Sequence, residues 1–233
     1  MDIRADVIKA IVKRYPAALK GLRGGALLIA LTGEMVEVKT VDYYFRALRG
    51  LIQAVYNNIM GGEFIDIMAN LIQGQLTRAF QFALDEVGSD WFPELQTELD
   101  AMIASEYTFV DQLFRDIIDA RMDGTGIDPL LARAQIWANR WNDAYNTAKL
   151  MIQSLFGERL MWVYGAAEHC DECLSLNGIV AFAKEWQELG VRPQSPPNAL
   201  LTCGGWRCKC SLVPTNQRRS PNAFVTIMNI VSK

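Results

Sequence analysis

The sequence predicts a mostly α protein in three parts: a helical region over residues 1–157, a small α+β, cysteine-rich domain over 158–213, and a C-terminal tail over 214–233. Three observations predict it. Apolar residues recur at helical spacing through the first 157 positions. The pattern changes after Gly157, where Leu160-Met-Trp-Val-Tyr164 is β-prone and is followed by Gly165. All five cysteines fall between Cys170 and Cys210, and residues 1–169 contain none.

The helices follow from their stripes. Ile3, Val7, Ile11, Val12, Tyr15, Leu19 and Leu22 make the first, with Pro16 as an expected kink. Val41, Tyr44, Phe45, Leu48, Leu51, Ile52, Val55 and Ile59 make the second, which Gly61-Gly62 ends. A third runs from Phe64 to Leu84 and closes near Gly88. Ser89 or Asp90 is the expected cap of the next, with Pro93 in its first turn and Glu94 favouring the dipole. Phe109 to Ile118 continue the pattern up to Gly124-Thr-Gly126. Asp128-Pro129 then predicts an N-cap and first helical position for a long helix ending near Phe156. With no linker at residue 157, that helix is expected to dock on the small domain. Further on come a short apolar stretch Ile179–Phe182, a helical piece Lys184–Leu189, a proline-rich loop Arg192-Pro-Gln-Ser-Pro-Pro197, and an alternating stretch Cys208–Val213 that reads as a strand.

Composition narrows the function. With 51% apolar and 21% charged residues, the chain has enough apolar content for a core. A net charge of −3 argues against a protein that coats nucleic acid. Charge is uneven: +4 over residues 1–60, −11 over 61–130 and +4 over 131–233. This reads either as solvated helix faces or as a bipolar assembly subunit whose acidic face meets a basic neighbour or is repelled by DNA. The longest apolar run, Ala26 to Leu31, is far short of a membrane span, and the amphipathic start does not resemble a secretory signal. A reducing cytoplasm is therefore the expected folding compartment.

The cysteines are spaced Cys170-x-x-Cys173 and, after 29 residues, Cys203-x4-Cys208-x-Cys210. A Cys-x-x-Cys pair on a tight turn aims two thiolates at one point, half of a tetrahedral zinc site. In a strand, Cys208 and Cys210 would share a face. The expected ligands are Cys170, Cys173, Cys203 and Cys208, with Cys210 the main rival for the last place. Four thiolates leave no open position, so such a zinc ion is structural. Disulfides formed later and buried free thiols are the other readings. The one histidine, His169, is expected to face solvent or to support a ligand, with a place as a metal ligand the alternative, and its adjacency to Cys170 disfavours a Cys–His dyad. Glu168-His-Cys-Asp-Glu-Cys173 lacks the separate His-x-Glu of zinc deaminases, and Cys203-Gly-Gly-Trp-Arg lacks the lysine and helix start of a phosphate loop. No catalytic residue is predicted, and an enzyme is not expected.

The tract Trp162-Val-Tyr164, Cys170-Asp-Glu-Cys173-Leu-Ser-Leu-Asn177-Gly178-Ile-Val180, a proline-rich loop, and Cys203-Gly-Gly-Trp-Arg-Cys208-Lys-Cys210-Ser-Leu212 resembles tailed-bacteriophage minor head proteins. This is the head-morphogenesis family typified by the F protein of phage Mu. Its members usually carry a Cys-x-x-Cys, a following Asn/Asp-Gly and a late Pro-x-His-Pro-x-Cys-Arg-Cys. The resemblance covers about residues 160–213. The late histidine is missing, and Cys203 stands near its place, an exchange that keeps zinc affinity. The resemblance implies a structural virion protein, present in few copies inside the head near the portal. It also implies a role in head assembly and in genome delivery. The implied partners are portal, capsid or scaffold proteins, with weak non-specific contact to packaged DNA and no membrane. The alternative is a zinc-ribbon-like nucleic-acid-binding module, with Arg192, Arg207, Lys209, Arg218 and Arg219 as phosphate contacts. The tail places Ala223, Phe224, Val225, Ile227, Met228, Ile230 and Val231 within nine residues. It is expected to pack either on the helical region of its own chain or on a neighbouring subunit.

Overall fold

The computed structural model describes residues 41–232, apart from 167, 196–197 and 206–207. The expected first helix with its Pro16 kink, the Ala26–Leu31 run, and Pro196, Pro197 and Arg207 of the expected loop and phosphate contacts lie outside the described residues.

The chain is mostly α. Among the described residues, five helices come first: α1 Val41–Tyr56, α2 Glu63–Val87, α3 Pro93–Tyr107, α4 Val110–Met122 and α5 Asp128–Leu155. The second expected stripe stops three residues early. Asn58 takes φ +57° and Ile59 N–H returns to Ala54 O at 2.8 Å, the six-to-one closure that ends a helix. The same closure follows α5, where Gly157 takes φ +65° and Glu158 N–H reaches Gln153 O. Helix α3 starts at Pro93, so neither Ser89 nor Asp90 caps it. Proline at the first position needs no N–H partner, and Leu95 and Gln96 donate to Phe92 O instead. Among the described residues, no helix is long and apolar enough to cross a membrane.

Two compact units divide the chain at places the sequence does not announce. Among the described residues, the first comprises those of 41–78 and 99–141, and the second those of 79–98 and 142–232. In the first unit, Leu48, Ile52 and Val55 of α1 and Phe64, Met68 and Leu71 of α2 are buried, as are Leu113, Ile117 and Ala138. Its buried Gln75 is satisfied, donating to Trp137 O at 2.8 Å and Ala138 O at 3.0 Å.

In the second unit, β1 Arg159–Val163, α6 Asp171–Leu176, β2 Val180–Phe182, α7 Ala183–Glu188, β3 Ser211–Pro214 and α8 Ala223–Val231 follow α5. The strands form an antiparallel sheet of order β2-β1-β3, with Leu160 opposite Ala181 and Trp162 opposite Leu212. Alternation along β1 sends Leu160 and Trp162 into the core, beside Trp186, whose Nε1 donates to Leu160 O. Leu150 of α5 belongs to this same core, so the boundary expected at 157 falls inside the unit.

The tail is core, but not where it was expected. Ala223, Ile227 and Ile230 pack into the cysteine-rich core, with α8 against α6 and β2, rather than on the helical region. Glu185 fixes the approach. It accepts from Phe182 N–H, as in a capping box, and from Arg219 Nε, which holds its carboxyl below the usual range. Ile227→Ala is expected to destabilise the unit by about 2–5 kcal/mol. Val225→Ala, at 59% exposure, should stay within about 0.5 kcal/mol. Thermal unfolding of the two variants checks the difference.

Candidate metal centre

Helix α6 sets the first two sulfurs. Cys170 is its N-cap, with extended backbone (φ −75°, ψ 166°), and Cys173 lies one turn on, so the pair spans a helix start rather than a free tight turn. Their Sγ atoms are 3.4 Å apart. Cys203 joins from the loop after α7, its Sγ 3.6 Å from that of Cys170. The buried Glu172 anchors that loop, its Oε2 accepting from Thr202 N–H at 3.0 Å.

Cys208 and Cys210 precede β3, so the strand expected over 208–213 begins only at Ser211. They converge all the same. The sulfurs form two overlapping triads, Cys170–Cys173–Cys203 and Cys173–Cys208–Cys210, with mutual distances within 4.8 Å in each. The sequence thus names all five members, and Cys173 is common to both triads. A tetrahedral ion with metal–sulfur bonds of about 2.3 Å spaces its sulfurs about 3.8 Å apart, so soft donors at these separations fit a thiophilic cation. None of the five is in a disulfide.

Backbone N–H groups reach three of the sulfurs: Gly205 donates to Cys203, Gly165 to Cys210, and Gln194 and Cys210 to Cys208. A hydrogen bond from Cys173, then those of Gln194 and Cys210, hold Cys208 down to about 5 against its burial. Cys173 is pushed up by that same bond and by burial. Burial pushes Cys203 up to about 11 and raises Cys210. The cluster without a cation therefore favours the thiolate at Cys208 over Cys173, Cys203 and Cys210. A bound cation reverses that preference by deprotonating its ligands.

His169 stands beside the cluster. Its Nδ1 is 3.5 Å from Cys210 Sγ, and its ring stacks on Tyr164 at 4.0 Å. It belongs to neither triad. Sequence reasoning missed Glu172, Gln194 and Tyr164 as positioning residues. Nothing in their spacing distinguishes them, because each acts through a contact distant in sequence. Gln194 is the most constrained: φ is +52°, and its Nε2 donates to Cys210 O at 2.8 Å.

Two glycines shape the surroundings. Asn177 (φ −58°, ψ 127°) and Gly178 (φ +80°) form a turn closed by Ile179 N–H to Leu176 O, and Asn177 Oδ1 accepts from Tyr164 N–H. A Cβ on Gly165 would lie 1.9 Å from Lys209 O, between Cys208 and Cys210. Gly165→Ala is therefore expected to displace both cysteines and to cost about 1–3 kcal/mol. Thermal unfolding with metal analysis checks this, and a variant with native stability and native metal content contradicts it.

The basic residues of the nucleic-acid alternative are partly engaged. Arg192 meets Asp143 and Thr147, and Arg219 meets Glu185, whereas Lys209 and Arg218 are exposed, with no ion pair among the described residues. Compared with known proteins, the chain matches no family model, no curated protein and no solved structure.

Proposed function

We propose that this chain is a structural zinc protein of the tailed-phage minor-head type, joining other virion proteins near the portal and catalysing nothing. The observation that carries the reading is the convergence of the motif pieces. The Cys-x-x-Cys heads α6, the Asn-Gly turn follows it and ties back to Tyr164, and the Cys-x-Cys closes on the same sulfur cluster. The ligands would be Cys170, Cys173, Cys203 and Cys208. Cys208 and Cys210 both bond to Cys173, but of the two it is Cys208 whose charge acts on Cys203, whereas Cys210 faces His169. Zinc there supplies a cross-link between α6 and two loops.

Exposed apolar side chains support an assembly role. Leu174, Phe182, Phe224 and Val225 of α6, β2 and α8 are 42–59% exposed, in elements that pack on one another. The excess of acid over residues 61–130 disfavours tight DNA binding.

The test is to tag the chain in its native genome and purify mature heads. The expected result is a few copies per particle, protected from external protease. Isolated protein should bind duplex DNA weakly, without sequence preference. Absence from particles, or tight sequence-specific binding at physiological salt, overturns the reading.

A further inference from the structure

The second unit contains a partly open pocket of about 190 Å³, lined by the second half of α5, the 192–194 loop and the start of β3. One water occupies about 30 Å³ in the liquid, so the space exceeds a single solvent site. Three of its lining residues carry hydrogen-bonding capacity that the fold leaves unused. Gln153 is 3% exposed, and among the described residues no hydrogen bond engages its carboxamide. Arg192 gives one terminal nitrogen to Thr147 and holds another 3.9 Å from Asp143, but its Nε is buried without an acceptor. Lys149 Nζ donates to Glu86 Oε1 at 2.6 Å and to Tyr145 OH at 3.1 Å, leaving a third proton.

Of these donors only Arg192 Nε is fully buried, and a buried donor calls for an acceptor; Gln153 and the part-buried Lys149 add spare donors in the same lining. Two of the three belong to cations. Their carboxylate partners, Glu86 and Asp143, are already engaged by these same cations and are not among the cavity-lining residues. An acceptor that meets two cationic donors and an amide is best supplied by a negatively charged oxygen cluster. We propose that this cavity is a binding site for a small oxyanion, a carboxylate or a phosphate, held by Lys149, Gln153 and Arg192. The site is independent of the zinc reading. It adjoins the cysteine cluster through Gln194, which lines the cavity and holds Cys208 and Cys210.

The test uses the full chain, titrated with inorganic phosphate and with malonate at constant ionic strength and followed by amide NMR. Either anion is expected to give saturable shifts confined to residues 142–153, 192–194 and 211–212, and the tighter of the two identifies the oxyanion class. Lys149→Met and Gln153→Leu should each weaken binding by about tenfold, the effect of losing one charge-assisted or buried hydrogen bond. Gln153→Leu nearly keeps the side chain's volume and removes its amide, so it stays informative if the lysine variant unfolds. Absence of saturable shifts at tens of millimolar anion overturns the proposal. So do shifts that chloride reproduces, or unchanged affinity in Gln153→Leu.

Discussion

Stripping the metal with a strong chelator is expected to melt the cysteine-rich core while leaving the helical signal of α1–α4 in place. The sulfurs are part of that core: Cys173 and Cys210 lie in the same buried cluster as Trp162, Trp186 and Ile227, with Cys170, Cys203 and Cys208 packed on it. A structural zinc site contributes on the order of 10 kcal/mol, comparable to the whole stability of a domain. The near-ultraviolet circular dichroism of Trp162 and Trp186, which lie 5.8 Å apart, should collapse. Amide exchange should rise across 159–231, a span that includes α8 because its buried face packs on that core. A metal-free protein with an unchanged aromatic spectrum contradicts the proposed centre.

Cys173→Ala should be the most damaging of the five cysteine replacements, and Cys210→Ala among the mildest for metal content. Cys173 belongs to both sulfur triads and is 1% exposed, so its loss breaks each triad at once and leaves a cavity in the core. Metal per chain should fall from one to near zero, with stability lower by several kcal/mol, on the order of the site's whole contribution. Cys210→Ala should keep one metal ion, because the proposed four remain. Cobalt substitution reads the outcome directly, since a four-thiolate spectrum that survives in Cys210→Ala and fades in Cys208→Ala assigns the fourth ligand. The opposite ranking of those two variants would assign it to Cys210.

What the sequence carried well were patterns of short range. Stripes at 3.6-residue spacing placed α2 and α5 within a few residues of their observed ends, and the cysteine spacing named every member of the cluster. What it hid depends on distant partners. The stripe through Ile59 reads as helix until Asn58 is seen to turn left-handed. Cys208-x-Cys210 alternates like a strand, yet its geometry is set by Gly165 and Gln194 rather than by a sheet partner. The apolar tail had to be buried, but its periodicity could not say against which surface. That choice depends on where Glu185 receives Arg219, 34 positions later.

The core of the second unit gathers side chains from Leu150 through Ile230, and α8 contributes three of them. Such a core cannot mature segment by segment. Leu150, Trp162 and Trp186 find their last neighbours only after Ala223, Ile227 and Ile230 have closed a long stretch of chain. Contacts this remote form late, because the entropy of closing the intervening loop is lost before any packing compensates for it. During that interval the apolar sheet face is open to solvent and to other chains. The unit should therefore refold more slowly than the helical one, and concentration should lower its yield more than its rate.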